Sequence, residues 1–105
     1  MNKSPMNNNQ LQIHPLQGAG GLLYDVPYLV RDPNDFRMSE KRHQIEVRNQ
    51  AVVDEYFLSR ANGASAHEAR QITATKHEMS PRQVYGCLIW YFQEAKRRHI
   101  VIPDL

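Results

Sequence analysis

The chain has 105 residues, of which 41% are hydrophobic and 23% charged, with a formal net charge of +2 at pH 7. That length bounds it to one small domain with a modest core. Its longest apolar run, Val84 to Phe92, falls well short of the roughly 18 residues that span a bilayer, so no membrane association is expected.

One cysteine, Cys87, rules out an internal disulfide and points to a reducing, cytoplasmic setting. Met1-Asn2-Lys3 leads into Asn and Gln rather than an apolar stretch, so no signal peptide is expected. Charge is unevenly spread. Residues 1–58 carry six basic and seven acidic groups. From Arg60 to Arg98 there are seven basic residues and three acidic ones, a balance of +4. A basic C-terminal half fits a phosphate footprint, and equally a solvated helical surface.

Residues 1–21 read as a disordered arm, with a polar tract at Asn7-Asn8-Asn9-Gln10 and a hinge at Gly18-Ala19-Gly20-Gly21. Those glycines lack the Lys-Ser/Thr of a phosphate loop and the spacing of a dinucleotide fingerprint, which argues against a nucleotide site. Residues 22–38 read as an extended apolar arm. Leu22 to Val30 is apolar, but Pro27 bars a central strand or an undisturbed helix. Such an arm packs on its own domain or on a partner subunit. Asp32-Pro33 can cap a short turn.

A helical domain is expected over residues 39–98. Ser39 caps a long first helix running to Arg60, with Ile45, Asn49, Val52, Val53, Tyr56 and Phe57 at helical spacing. Asn62-Gly63 stops it. The second helix runs from Ala66 to about Glu78 and buries a thin face of Ala69, Ile72, Thr73 and Met79. His67, Arg70, Gln71, Thr75 and Glu78 face out. The third runs from Pro81 to about Arg98, with a core stripe of Val84, Cys87, Leu88, Tyr91, Phe92 and Ala95. Tyr85, Ile89 and Trp90 fall elsewhere on it, so its middle is apolar nearly all round, as in a buried helix. Either a second copy of the chain covers Tyr85, Ile89, Trp90 and Phe92 in a homodimer, or the Leu22 to Val30 arm folds over them. Residues 99–105 form a short tail, and His99 to Pro103 is β-like and can pair with that arm.

Two capping boxes frame the second and third helix starts, Ser65-Ala66-His67-Glu68 and Ser80-Pro81-Arg82-Gln83. Pro81 sits at the first helical position, where its missing N–H costs nothing. With Gly63, Ser65, Glu68, Ala69, Ser80, Val84 and Leu88, residues 61–88 resemble the helix-turn-helix superfamily of DNA-binding domains. The resemblance covers about a quarter of the chain and singles out no family within it. The cap serines are further apart than in the usual pattern, which lengthens the second helix by roughly one turn. The resemblance implies a small all-α, three-helix domain that binds double-stranded DNA as a transcriptional regulator of prokaryotic, phage or plasmid type.

On that reading the tip of the third helix meets base edges through Arg82, Gln83, Tyr85 and Gly86. Arg suits guanine O6/N7, Gln suits adenine N6/N7, and Gly86 permits close approach. Arg60, Arg70, Lys76, His77, Lys96, Arg97 and Arg98 are the phosphate-contact candidates. For Lys96-Arg97-Arg98 the simpler role is to complement the helix dipole. The rival function is a helical interaction module, an inhibitor or adaptor, that binds a protein partner through the apolar third helix. No cofactor is expected. The five histidines lack metal-ligand spacing, and no metal site is expected. Cys87 lies on the core stripe and Asp54-Glu55 point different ways on a helix, so an enzyme is not expected.

Overall fold

The computed structural model describes residues 13–17 and 23–102. Its helices begin where short polar side chains cap them. Asp32, Ser39, Ser65 and Ser80 stand in extended backbone, and each accepts a hydrogen bond from an N–H two or three residues on. They open α1 (Pro33–Phe36), α2 (Glu40–Ala61), α3 (Ala66–Lys76) and α4 (Pro81–Arg97). Both capping boxes are complete in both directions. The architecture is all-α, with α2, α3 and α4 packed on one another. Among the described residues no helix is long and apolar enough to cross a membrane.

The three long helices end alike. Gly63, Glu78 and His99 take left-handed backbone, with φ of 100°, 55° and 57°. The next N–H in each case reaches back to a carbonyl of the last turn: Ala64 to Ser59, Met79 to Ala74 and Ile100 to Ala95, at 3.1, 2.9 and 2.9 Å. This is the Schellman stop, which favours glycine at the left-handed position. The α3–α4 turn achieves it with Glu78, so α3 ends at Lys76 rather than at Glu78. Glu78→Gly is therefore expected to stabilise the fold by about 0.5–1 kcal/mol, the left-handed strain relieved less the extra chain entropy of glycine. Thermal unfolding checks it: the midpoint should rise, and a fall would show that the Glu78 side chain matters more than its backbone.

Ahead of the helices lies an antiparallel hairpin of β1 (Ile13–Gln17) and β2 (Leu23–Pro27), with Ile13 opposite Pro27 and Gln17 opposite Leu23. Residues 13–17 are thus strand, not part of a disordered arm. The rest of 1–21 lies outside the described residues. The strand partner of residues 23–27 is 13–17 and not the C-terminal tail. Residues 99–102 form no strand, and Ile100 and Ile102 instead pack against the core.

After β2 the chain runs without regular secondary structure from Tyr28 to Asp32, and it packs on its own domain: Val26 and Leu29 are fully buried. A buried backbone outside any ladder still needs hydrogen-bond partners. Side chains of α2 and α4 supply them. Gln50 Oε1 accepts from the Leu29 N–H at 2.8 Å, and Gln50 Nε2 donates to the Pro27 carbonyl at 3.2 Å. Tyr91 donates its hydroxyl to the same carbonyl at 2.6 Å. Arg98 donates to the Leu29 carbonyl at 2.9 Å, and Glu46 accepts from the Arg31 N–H at 3.1 Å. These bonds strap residues 27–31 across the bundle.

The core joins Val26 and Leu29 to Val52, Val53, Tyr56 and Phe57 of α2, Ala69 and Ala74 of α3, and Val84, Cys87, Leu88, Tyr91 and Ala95 of α4. Phe57 sits at the centre of an aromatic group, its ring centroid 5.5 Å from Tyr56, 5.9 Å from Tyr91 and 6.3 Å from Phe92. Two residues expected in the core are outside it. Ile72 is exposed on α3, where Ala74 takes the buried place, and Phe92 is partly exposed while its ring still meets Phe57.

Candidate nucleic-acid interface

α4 starts from Ser80, whose hydroxyl accepts from the Gln83 N–H at 3.1 Å while Gln83 Oε1 accepts from the Ser80 N–H at 2.8 Å. That fixes the first turn and leaves Arg82 projecting from it. Arg82 is exposed and makes no ion pair or side-chain hydrogen bond among the described residues. Gln83 is also exposed, but its oxygen is committed to the cap. Only its Nε2 is left to donate, so its fit to adenine, which needs a donor and an acceptor, is halved. Tyr85 and Gly86 are exposed one turn on. All four residues expected at base edges therefore share the solvent-facing start of one helix.

Gly86 carries a further signal. A Cβ built there meets nothing within 4 Å. A glycine inside a helix costs about 1 kcal/mol relative to alanine. Packing among the described residues does not require it.

α4 is not apolar all round in the folded protein. Val84, Cys87, Leu88, Tyr91 and Ala95 face the core with the buried Glu94. Tyr85, Ile89 and Phe92 lie along one flank and are 54%, 39% and 46% exposed. Trp90 lies on the opposite flank, half-buried against the core. Trp90 therefore does not share a surface with the other three residues expected at a dimer interface. The strap meets α4 through Tyr91 and Arg98 and leaves Tyr85, Ile89 and Phe92 exposed.

The phosphate-contact candidates divide by what already holds them. Lys76 pairs with Glu55 at 3.0 Å across the α2–α3 boundary. Arg60 donates to the Ala64 carbonyl at 2.8 Å and so braces the end of α2. Arg97 and Arg98 both pair with Glu94, and Arg98 also holds the strap. Arg70, His77 and Lys96 make no ion pair among the described residues; Lys96 is exposed, while Arg70 and His77 are half-buried. From Arg82 to Lys96 is about 21 Å along the helix axis at 1.5 Å per residue, so the candidates do not form one tight cluster. They are spread along α4. Glu94 is the one carboxylate in α4, and it is buried under two arginines. The exposed surface of α4 is thus cationic and polar-apolar, with no exposed acid.

Elsewhere, an open cleft of about 620 Å³ lies between α2 and α3, lined among others by Leu58, Asn62, Glu68 and Ile72 and crossed by the Lys76–Glu55 pair. Cys87 is buried and donates to Asn49 Oδ1 at 3.3 Å; burial pushes its thiol up, against the opposing pull of Arg48, so it stays protonated at neutral pH. No family model, curated protein or solved structure matches this chain.

Proposed function

We propose that this protein binds double-stranded DNA through α4, as a small cytoplasmic transcriptional regulator. The observation that carries the reading is the exposed surface of α4, which displays Arg82, Lys96 and Arg97 and no carboxylate. A duplex presents one negative charge per about 1.7 Å of axis, so an acid-free helix is the face of this domain least opposed to it. In support, α3, the turn at residues 77–80 and α4 follow the order of a helix-turn-helix reader, and the first turn of α4 is the one recognition helices direct at base edges. A homodimer would set two such tips about 34 Å apart on a palindromic site.

The exposed Tyr85, Ile89 and Phe92 stripe favours a second reading, in which α4 docks a protein partner. Binding to mixed-sequence duplex across a salt series separates the two. DNA binding requires affinity that falls steeply with salt. Arg82→Ala should then cost about 1–3 kcal/mol on the preferred site and relax its sequence, while Lys96→Ala should weaken every sequence alike. An equal loss on all sequences for both variants would remove the readout role of Arg82, and no binding at low salt would leave the protein-partner reading.

A further inference from the structure

On the reading of α4 as the DNA-binding helix, we infer that base readout extends beyond its tip along a full face, with Ile89 and Gln93 as further specificity-determining residues and Gly86 as the point of closest approach. At 3.6 residues per turn, the spacing Arg82, Gly86, Ile89, Gln93 (i, i+4, i+7, i+11) places all four on one side of the helix. All four are exposed. This line is opposite the buried Val84, Leu88 and Tyr91, and it is offset from the Tyr85 and Phe92 flank.

Each position has a matching chemistry. Gly86 leaves open space where a Cβ would stand, and nothing among the described residues explains it. A groove wall or base edge brought against the backbone there does. Ile89, one turn on, presents an exposed branched apolar side chain, which suits the thymine methyl group. The Gln93 side chain makes no hydrogen bond among the described residues, so both halves of its amide are available to adenine N6 and N7. Gln83, committed to the cap, offers only one. The adenine-reading role assigned to Gln83 by its position in the sequence passes to Gln93. Lys96 and Arg97 follow on either side of the line, where they straddle it toward the two phosphate walls. From Arg82 to Gln93 the face is about 16 Å long, close to five base-pair steps, and the major groove is wide enough to admit a helix.

The test uses the full chain and the duplex it selects from a randomised pool. Gly86→Leu should leave the thermal midpoint unchanged or higher, because its space is open, yet weaken binding at least ten-fold. Replacing thymine by uracil, which removes only the methyl, should weaken the wild type several-fold at one position and leave Ile89→Ala indifferent there. Gln93→Ala should lose an adenine preference at one position of the reselected site. If Arg82→Ala alters the selected sequence while Gly86→Leu, Ile89→Ala and Gln93→Ala bind as the wild type does, extended readout is overturned and the tip reading stands. If the wild type binds no duplex at low salt, both fall together.

Discussion

Arg31→Ala is expected to lower stability by about 3 kcal/mol at neutral pH, with a fall in thermal midpoint of about 12 °C or more. The reason is the place of Glu46. Its side chain is fully buried, and the carboxylate is met by the Arg31 guanidinium at 2.5 and 3.1 Å, by the Arg31 N–H at 3.1 Å and by Arg42 at 3.3 Å. Removing the Arg31 side chain leaves the buried charge with the backbone N–H of residue 31 and with Arg42, itself half exposed to solvent. The pH dependence gives the same test a second axis. Burial alone would raise the Glu46 carboxyl, but the bonds from Arg31 and the charges of Arg31 and Arg42 outweigh it, and the group is held below its ordinary value of 4.5. A carboxyl lowered in the fold contributes stability that is fully present above the unfolded value and is lost as pH falls through the folded one. In Arg31→Ala burial is opposed only by the residue-31 N–H and the charge of Arg42, so the carboxyl rises and the stability it contributes at neutral pH is reduced. The gap between the two proteins should therefore be widest near pH 7 and close as pH falls through the lowered folded value, below 4.5. A gap that does not change with pH would mean that Arg31 acts through packing of its stem rather than through Glu46.

How far the sequence discloses this molecule depends on the kind of interaction. Helix ends are local, and Ser39, Ser65 and Ser80 mark them because a capping hydroxyl reaches an N–H only three residues away. The faces of α2 and α4 follow from periodicity for the same reason. An arm at residues 22–38 packed on its own domain or on a partner was legible from Pro27, but the side chains that hold it were not. Glu46 and Gln50 read as polar interruptions beside Asn49 and Val53, yet both are buried, because they satisfy a backbone some twenty residues away in sequence. Spacing does carry a trace of it: Glu46, Asn49, Gln50, Val53 and Phe57 share one helical face, and polar residues on an apolar face need a partner. The strand at residues 13–17 is hidden for a related reason, since pairing with residues 23–27 depends on contacts between segments rather than on either alone. On α4, counting apolar residues overestimated burial. Tyr85, Ile89 and Phe92 have the composition of a core and the position of a surface, and Glu94, charged by type, takes a buried place under Arg97 and Arg98.

The second large effect is expected at Tyr91, where the ring and the hydroxyl serve different parts of the fold. The ring is fully buried beside Phe57, Trp90 and Phe92, with centroids 5.9, 6.1 and 5.9 Å away. The hydroxyl ends at the Pro27 carbonyl, and burial, reinforced by the charge of Asp54, raises it far above its ordinary value, so it stays a donor at any working pH. Tyr91→Phe removes only the donor. Gln50 still donates to the same carbonyl, so the loss should be about 1 kcal/mol. Tyr91→Ala removes the ring from the centre of the aromatic group and should cost about 3–5 kcal/mol. A domain of this size holds about 4–12 kcal/mol in total, so the alanine variant should be largely unfolded at moderate temperature while the phenylalanine variant is not. Denaturant unfolding of the three proteins separates the contributions. A Tyr91→Phe loss close to that of Tyr91→Ala would mean that the strap depends on this one hydroxyl and that Gln50 does not hold Pro27 by itself. The expected wide difference would instead place the centre of the fold in the rings of α2 and α4, with the strap laid over them and held by several bonds at once.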